Sequence, residues 1–261
     1  MPMIDAGDGC QLNVSVDGRA DGPTVMFSNS LGCTLEMWEP QMAALTPYFR
    51  VIRYDRRGHG KSSIDPRPYS IERYGRDVLA ILDHLKIEKT NWCGLSMGGM
   101  VGQWLGANAP ERFEKIILAN TTCYYPDATM WNTRVKTVRE GGLAAIADTA
   151  IGGWLTEDFR TSNPAETARM KAMLLATPVE GYIASCEAIS TLDQRALLPK
   201  IKAPTLVIAG RQDKSTPVEA GEMIRSLIPG ASMTLLDAAH ISNVEQADAF
   251  TEAVIGFINQ K

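Results

Sequence analysis

The stretch NWCGLSMGGM, Asn91 to Met100, sets a serine at the end of an apolar run, with Gly94 before it and Gly98-Gly99 behind it. Glycine costs about 1 kcal/mol relative to alanine inside a helix, so neither a regular helix nor a strand accounts for this spacing. GLSMG, Gly94 to Gly98, fits Gly-x-Ser-x-Gly, and it lies between a segment that reads as a strand and one that reads as a helix. In that setting the pattern describes a sharp turn with a strained serine backbone and small neighbours, which lifts the hydroxyl above the sheet at a helix N-terminus. Ser96 is therefore a candidate nucleophile, the alternative being that it merely caps the helix.

Outward from this turn, short apolar runs alternate with amphipathic segments, the pattern of parallel strands covered by helices. The expected strands are Gln11 to Val16, Thr24 to Ser28, Val51 to Asp55, Asn91 to Gly94, Lys115 to Asn120, Thr205 to Ala209 and Ser232 to Leu236. Helical spacing joins Ile71, Val78, Leu82 and Leu85, and again Ala247, Phe250, Val254 and Phe257. The helix after the turn sets Val101, Trp104 and Leu105 on one face and stops at Asn108-Ala109-Pro110.

From about Thr121 to Leu198 the strand pattern vanishes, and short helices broken at Gly141-Gly142, Gly152-Gly153 and Asn163-Pro164 are expected. The organisation predicted is an α/β core of residues 1–120 and 199–261, with a mostly parallel sheet and a helical cap, 121–198, inserted into it.

A serine hydroxyl needs a base beside it and a third group to orient that base. The chain has three histidines. His84 falls on the polar side of its helix, and His59, in the glycine-rich DRRGHGKS, is expected to pack under the site. His240 follows the strand SMTLL and precedes the last helix, so it hangs from the C-terminal edge of a parallel sheet, where such folds build their sites. The acid comes between serine and histidine in the usual chain order, which favours Asp213 in LVIAGRQDKSTP over its rivals Asp237 and Asp55.

An oxyanion needs two N–H donors. One comes from the residue after the nucleophile, Met97. The other comes from the loop after Thr24 to Ser28, where aligning SNSLG with the common His-Gly-x-x form nominates Leu31.

Composition narrows the function classes. The 261 residues carry a formal net charge of −4, which leaves no basic footprint for nucleic acid or an anionic membrane. No apolar run approaches the length of a membrane span, and the N-terminus MPMIDAGDGC has no export signal pattern, so a cytoplasmic protein is expected. Its five cysteines are scattered, without metal-ligand spacing, and read as reduced thiols. No metal site is expected. No feature of the chain sets an oligomeric state.

These residues together resemble the α/β-hydrolase family and, within it, the 3-oxoadipate enol-lactonase group of aromatic degradation. The likeness runs through FSNSLGCTLEMW (27–38), YDRRGHGKSS (54–63), GLSMGGMVGQWLGANAPERF (94–113), GRQDKSTP (210–217) and DAAHISNVEQ (237–246). Gly-x-Ser-x-Gly marks only the wider family; SNSLG followed by Met37-Trp38, with AAHISNVEQ, is narrower. Asn29-Ser30 stand where the wider family has His-Gly. The resemblance implies that Ser96, Asp213 and His240 form a triad, that no cofactor is needed, and that the partner is a small anionic lactone.

Such a substrate carries a carboxylate. The run MWNTRVKTVREGG in the cap offers Arg134 as its partner among Lys136 and Arg139, with Trp131 and Trp154 as pocket walls. The same triad also serves carboxylesterases and hydrolases of carbon–carbon bonds, and the fold can act as a small-molecule receptor.

Overall fold

The computed structural model describes residues 2–65 and 68–260. The chain opens with β1 (Met3–Asp5), β2 (Gln11–Gly18) and β3 (Thr24–Ser28), then α1 (Glu39–Leu45), β4 (Arg50–Tyr54) and α2 (Ile71–His84). Next come β5 (Thr90–Leu95), α3 (Met97–Asn108) and β6 (Phe113–Ala119). Five helices follow without a strand: α4 (Thr129–Gly141), α5 (Ala147–Trp154), α6 (Glu157–Ser162), α7 (Pro164–Leu175) and α8 (Val179–Ile189). The chain then returns to the sheet through β7 (Thr205–Gly210), α9 (Val218–Leu227), β8 (Ser232–Leu236), α10 (Ser242–Glu245) and α11 (Ala247–Asn259).

The eight strands form one sheet in the order β1-β2-β4-β3-β5-β6-β7-β8. β1 and β2 are antiparallel to their neighbours, and the pairs from β4 to β8 are parallel. Every residue of β5 and β7 is buried, which accounts for their unbroken apolar character, since a parallel sheet is covered on both faces. The Gly94–Gly98 turn follows β5, near the centre of the sheet, so the loops after β3, β5, β6, β7 and β8 gather at one edge.

All seven expected strands occur, Thr24–Ser28 and Ser232–Leu236 with the expected ends and the other five with ends shifted. Asp55 and Asn120 lie just outside β4 and β6, and Asn120 turns to φ 44°, a left-handed conformation that asparagine tolerates better than most residues. β1 was not expected: three residues are too few to show a period, and the Asp5 carboxylate organises the turn behind them by accepting the N–H groups of Gly7 and Gly9.

Gly141-Gly142 and Asn163-Pro164 end helices as expected, but Gly152-Gly153 does not, because α5 runs through both. Burial of Ala147, Ala150, Ile151 and Trp154 on one face outweighs the low helix propensity of two glycines. Among the described residues no helix is long and apolar enough to cross a membrane.

Candidate active site

The turn between β5 and α3 has the geometry its sequence demands. Ser96 sits at φ 56°, ψ −115°, a conformation that costs a non-glycine residue about 1–3 kcal/mol and persists only where the surroundings fix it. They do so here: Ser96 N donates to Ala119 O at 2.8 Å, and Ser96 O accepts from Thr121 Oγ1 at 2.7 Å. A Cβ on Gly94 would lie 2.1 Å from Gly98 O, and one on Gly98 would lie 2.1 Å from Ser28 O. Both glycines are thus required by close backbone approach.

Three distant side chains converge at this turn. His240 Nε2 lies 2.9 Å from Ser96 Oγ, and His240 Nδ1 lies 2.9 Å from Asp213 Oδ2. With the proton on Nδ1 donated to the carboxylate, Nε2 is the acceptor for the serine hydroxyl. Ser96, Asp213 and His240 are all buried. Asp213 also accepts from Ser215 N at 2.8 Å, Thr216 N at 3.0 Å, Thr216 Oγ1 at 2.7 Å and Asn120 Nδ2 at 3.1 Å. Burial pushes its carboxyl up, but the attraction to His240 and the hydrogen bonds with His240 and Thr216 outweigh burial and bring it down to about 2.

Asn120 was not anticipated from the sequence. Its amide donates to both Asp213 and Ala239 O, while its own oxygen accepts from Ser242 Oγ at 2.5 Å. One side chain therefore joins the acid, the histidine loop and α10. An asparagine closing an apolar strand was the signal available.

The rival residues have other tasks. Asp237 is exposed and pairs with Arg211 at 3.0 Å. Asp55 is buried and accepts from Leu35 N, Lys61 N and Asn13 Nδ2. His84 is exposed at the end of α2. His59 is fully buried beneath the loop after β3, where its Nε2 accepts from Gly32 N at 3.1 Å.

That loop is tightly held. Asn29 Nδ2 donates to Tyr54 O, Trp38 Nε1 donates to Asn29 Oδ1 and Gly98 N donates to Asn29 O, at 2.9, 2.8 and 3.1 Å. Among the described residues, the amides of Leu31 and Met97 donate to no protein acceptor. Both residues are buried, and free N–H donors of this kind are what an anionic oxygen requires.

Of the expected pocket walls, Trp154 is tied to the histidine loop, since its carbonyl accepts from Ile241 N at 2.9 Å. Its ring reaches within 3.6 Å of where a Cβ on Gly32 would stand. Leu174 and Tyr182 crowd the same spot; they come from α7 and α8, so no local pattern points to them.

Trp131 is buried against Tyr125, with ring centroids 5.4 Å apart, and the Arg134 guanidinium lies 5.3 Å from the Trp131 ring. Burial raises the Tyr182 hydroxyl, and the neighbouring Arg134 partly offsets it. Arg134 is half-buried and has no carboxylate partner among the described residues, whereas the exposed Arg139 pairs with Glu187 at 2.7 Å. Lys136 is exposed.

The chain is 45% identical to 3-oxoadipate enol-lactonase 2 of Acinetobacter baylyi, over 93% of this chain and 91% of that protein. It is 38% identical to 3-oxoadipate enol-lactonase 1 of the same organism, over 98% and 96%. The crystal structure of the enol-lactonase from Burkholderia xenovorans superimposes with a TM-score of 0.96 at 41% identity, covering 98% of this chain and all of that one. A sequence model of the alpha/beta hydrolase fold matches residues 23–144 and 152–247, and the chain belongs to the α/β-hydrolase fold family.

Proposed function

We propose that this protein is a 3-oxoadipate enol-lactonase, which opens the enol-lactone to 3-oxoadipate through a serine acyl-enzyme in the β-ketoadipate route of aromatic degradation. The observation that carries the chemistry is the hydrogen-bonded chain from Ser96 Oγ through His240 to Asp213. The substrate is taken from the enol-lactonases to which the chain is 38–45% identical over most of its length.

In this reading Ser96 Oγ attacks the lactone carbonyl while His240 Nε2 takes its proton and Asp213 stabilises the imidazolium. The oxyanion rests on the Leu31 and Met97 amides, each worth about 3 kcal/mol of transition-state stabilisation. Collapse expels the enol oxygen, which His240 protonates, and the enol relaxes to a ketone. Water activated by His240 then hydrolyses the acyl-enzyme and frees Ser96. Every bond made and broken involves acyl oxygen and proton transfer, so no cofactor takes part.

Residues 121–198 serve as a cap over the core of 1–120 and 199–261. Arg134, without a carboxylate partner among the described residues, offers a cation for the substrate carboxylate, and Trp131 and Trp154 wall the pocket. The five free, buried cysteines suit a cytoplasmic enzyme.

The test is hydrolysis of 3-oxoadipate enol-lactone by the purified protein, beside a neutral ester of similar size, with Ser96→Ala as control. Efficient ring opening, selective over the ester and lost in the variant, is expected. Ester turnover without lactone turnover would keep the serine hydrolase and discard the substrate.

A further inference from the structure

The chemistry above makes no use of the loop that follows β4, yet two of its side chains reach the loop that carries Leu31. Arg56 Nη2 donates to the carbonyl oxygen of Asn29, the same oxygen that accepts Gly98 N. His59 Nε2 accepts the amide of Gly32 at 3.1 Å. The two contacts fall on either side of Leu31, one two residues before it and the other one residue after it. Both side chains are buried, at 1% and 0% exposure, which leaves no solvent to substitute for either bond.

Arg56 is unusual in a second respect. Its neighbour Arg57 is neutralised by Asp8, Asp65 and Asp77 at 3.1, 2.8 and 2.6 Å. Arg56 has no carboxylate within ion-pairing distance among the described residues, and its Nη1 is buried without a hydrogen-bond partner. A buried, uncompensated guanidinium is costly to the resting fold. The bond to Asn29 O and the Tyr74 ring, 5.9 Å away, offset part of that cost, and the first of them ties the guanidinium to the loop.

His59 supplies the complementary requirement. To accept the Gly32 amide, the imidazole must be neutral, with its proton on Nδ1. Burial, together with the charge of Arg56, keeps its pKa at about 3, so the acceptor persists at every working pH.

We propose that Arg56 and His59 are positioning residues that clamp the Asn29–Gly32 loop from both sides, so that the Leu31 amide stays turned toward the oxyanion; this rests on the serine-hydrolase reading above. Without the clamp the peptide before Leu31 keeps the bond from Cys33 N to Ser30 O at 3.2 Å but loses the two buried contacts on either side of it, so its N–H can turn away from the site. The triad and the Met97 amide would be left intact.

The test uses p-nitrophenyl acetate, so that it does not depend on the lactone, and measures kcat, KM, melting temperature and the inhibition constant of phenylboronic acid, which mimics the tetrahedral oxyanion once bound to Ser96. His59→Leu and Arg56→Met should each lower kcat about 10- to 100-fold, a part of what losing one oxyanion donor costs, with KM within about twofold. Phenylboronic acid should weaken by a similar factor. His59→Gln can present its amide oxygen to Gly32 N–H and should keep kcat within about threefold of the parent, while His59→Asn, too short to reach, should behave like the leucine variant.

The clamp is overturned if folded His59→Leu or Arg56→Met keeps the parental kcat, or if KM rises in step with the loss. It is equally overturned if glutamine is as damaging as asparagine, a comparison that decides even if the leucine variant does not fold. Should Ser96→Ala retain the parental turnover, the serine-hydrolase reading itself fails and the clamp falls with it.

Discussion

Asp213 and His240 are joined by a 2.9 Å hydrogen bond between Oδ2 and Nδ1, with the carboxylate filled on its other sides by Thr216, Ser215 and Asn120. This saturation leaves the imidazole only one favourable tautomer. Asp213→Asn would turn an amide group toward Nδ1 and favour the tautomer with its proton on Nε2, which cannot accept from Ser96. The expected loss is about 10⁴-fold in kcat with KM little changed. Steady-state kinetics on an activated ester measure it, and a loss under tenfold would remove Asp213 from the mechanism.

The legible parts of this molecule were those governed by local backbone rules or by chain order. GLSMG declares its turn because Gly94 and Gly98 touch backbone oxygens, and that turn in turn orders the search for His240 and Asp213. Asn120 and Glu245 were not legible, because each acts through partners from separate elements that only the fold brings together. His59 was expected beneath the site and lies there, yet its bond to Gly32 could not be read from a glycine-rich loop. Helix breaking at Gly152-Gly153 was expected from propensity alone, and tertiary packing of α5 prevails over it.

Glu245 links the histidine loop to the start of α6. Its carboxylate accepts Ala239 N at 2.9 Å, Thr156 N at 3.3 Å and the Thr156 hydroxyl. Together with the bond from Ile241 N to Trp154 O, the residues on both sides of His240 are tied to the segment from Trp154 to Thr156. Glu245→Ala should cost about 1–3 kcal/mol by leaving amides unpartnered, measured by urea denaturation. It should also lower kcat about tenfold, and Glu245→Gln should recover part of both. A variant with reduced stability and parental kcat would show that the tie supports the fold alone.

Arg134 stands over Trp131 with no carboxylate to neutralise it among the described residues. If it receives the substrate carboxylate, Arg134→Ala should raise KM for the anionic lactone about tenfold or more and leave neutral esters unaffected. Arg134→Lys should recover only part, because an ammonium lacks the planar fork that matches a carboxylate. Equal kinetics on the charged and neutral substrates would remove Arg134 from substrate recognition.

The neutral, buried His59 makes a prediction about acid stability. Burial and the Arg56 charge lower its pKa to about 3 in the folded protein, against about 6.5 in the unfolded chain. Between those values the unfolded chain binds the extra proton, so stability falls as pH drops from about 6.5 toward 3 and is fully present above that window. At pH 5 the loss from this one group is about 2 kcal/mol. Asp213 does not interfere there: its pKa is depressed to about 2, so its contribution is intact above about pH 4 and is lost only as pH falls from there through about 2. Urea denaturation at pH 7 and pH 5 should therefore show a smaller drop for His59→Gln than for the parent, by about 2 kcal/mol. Parallel pH dependence in the two proteins would mean that His59 is protonated in the fold, and a protonated imidazole could not accept the Gly32 amide.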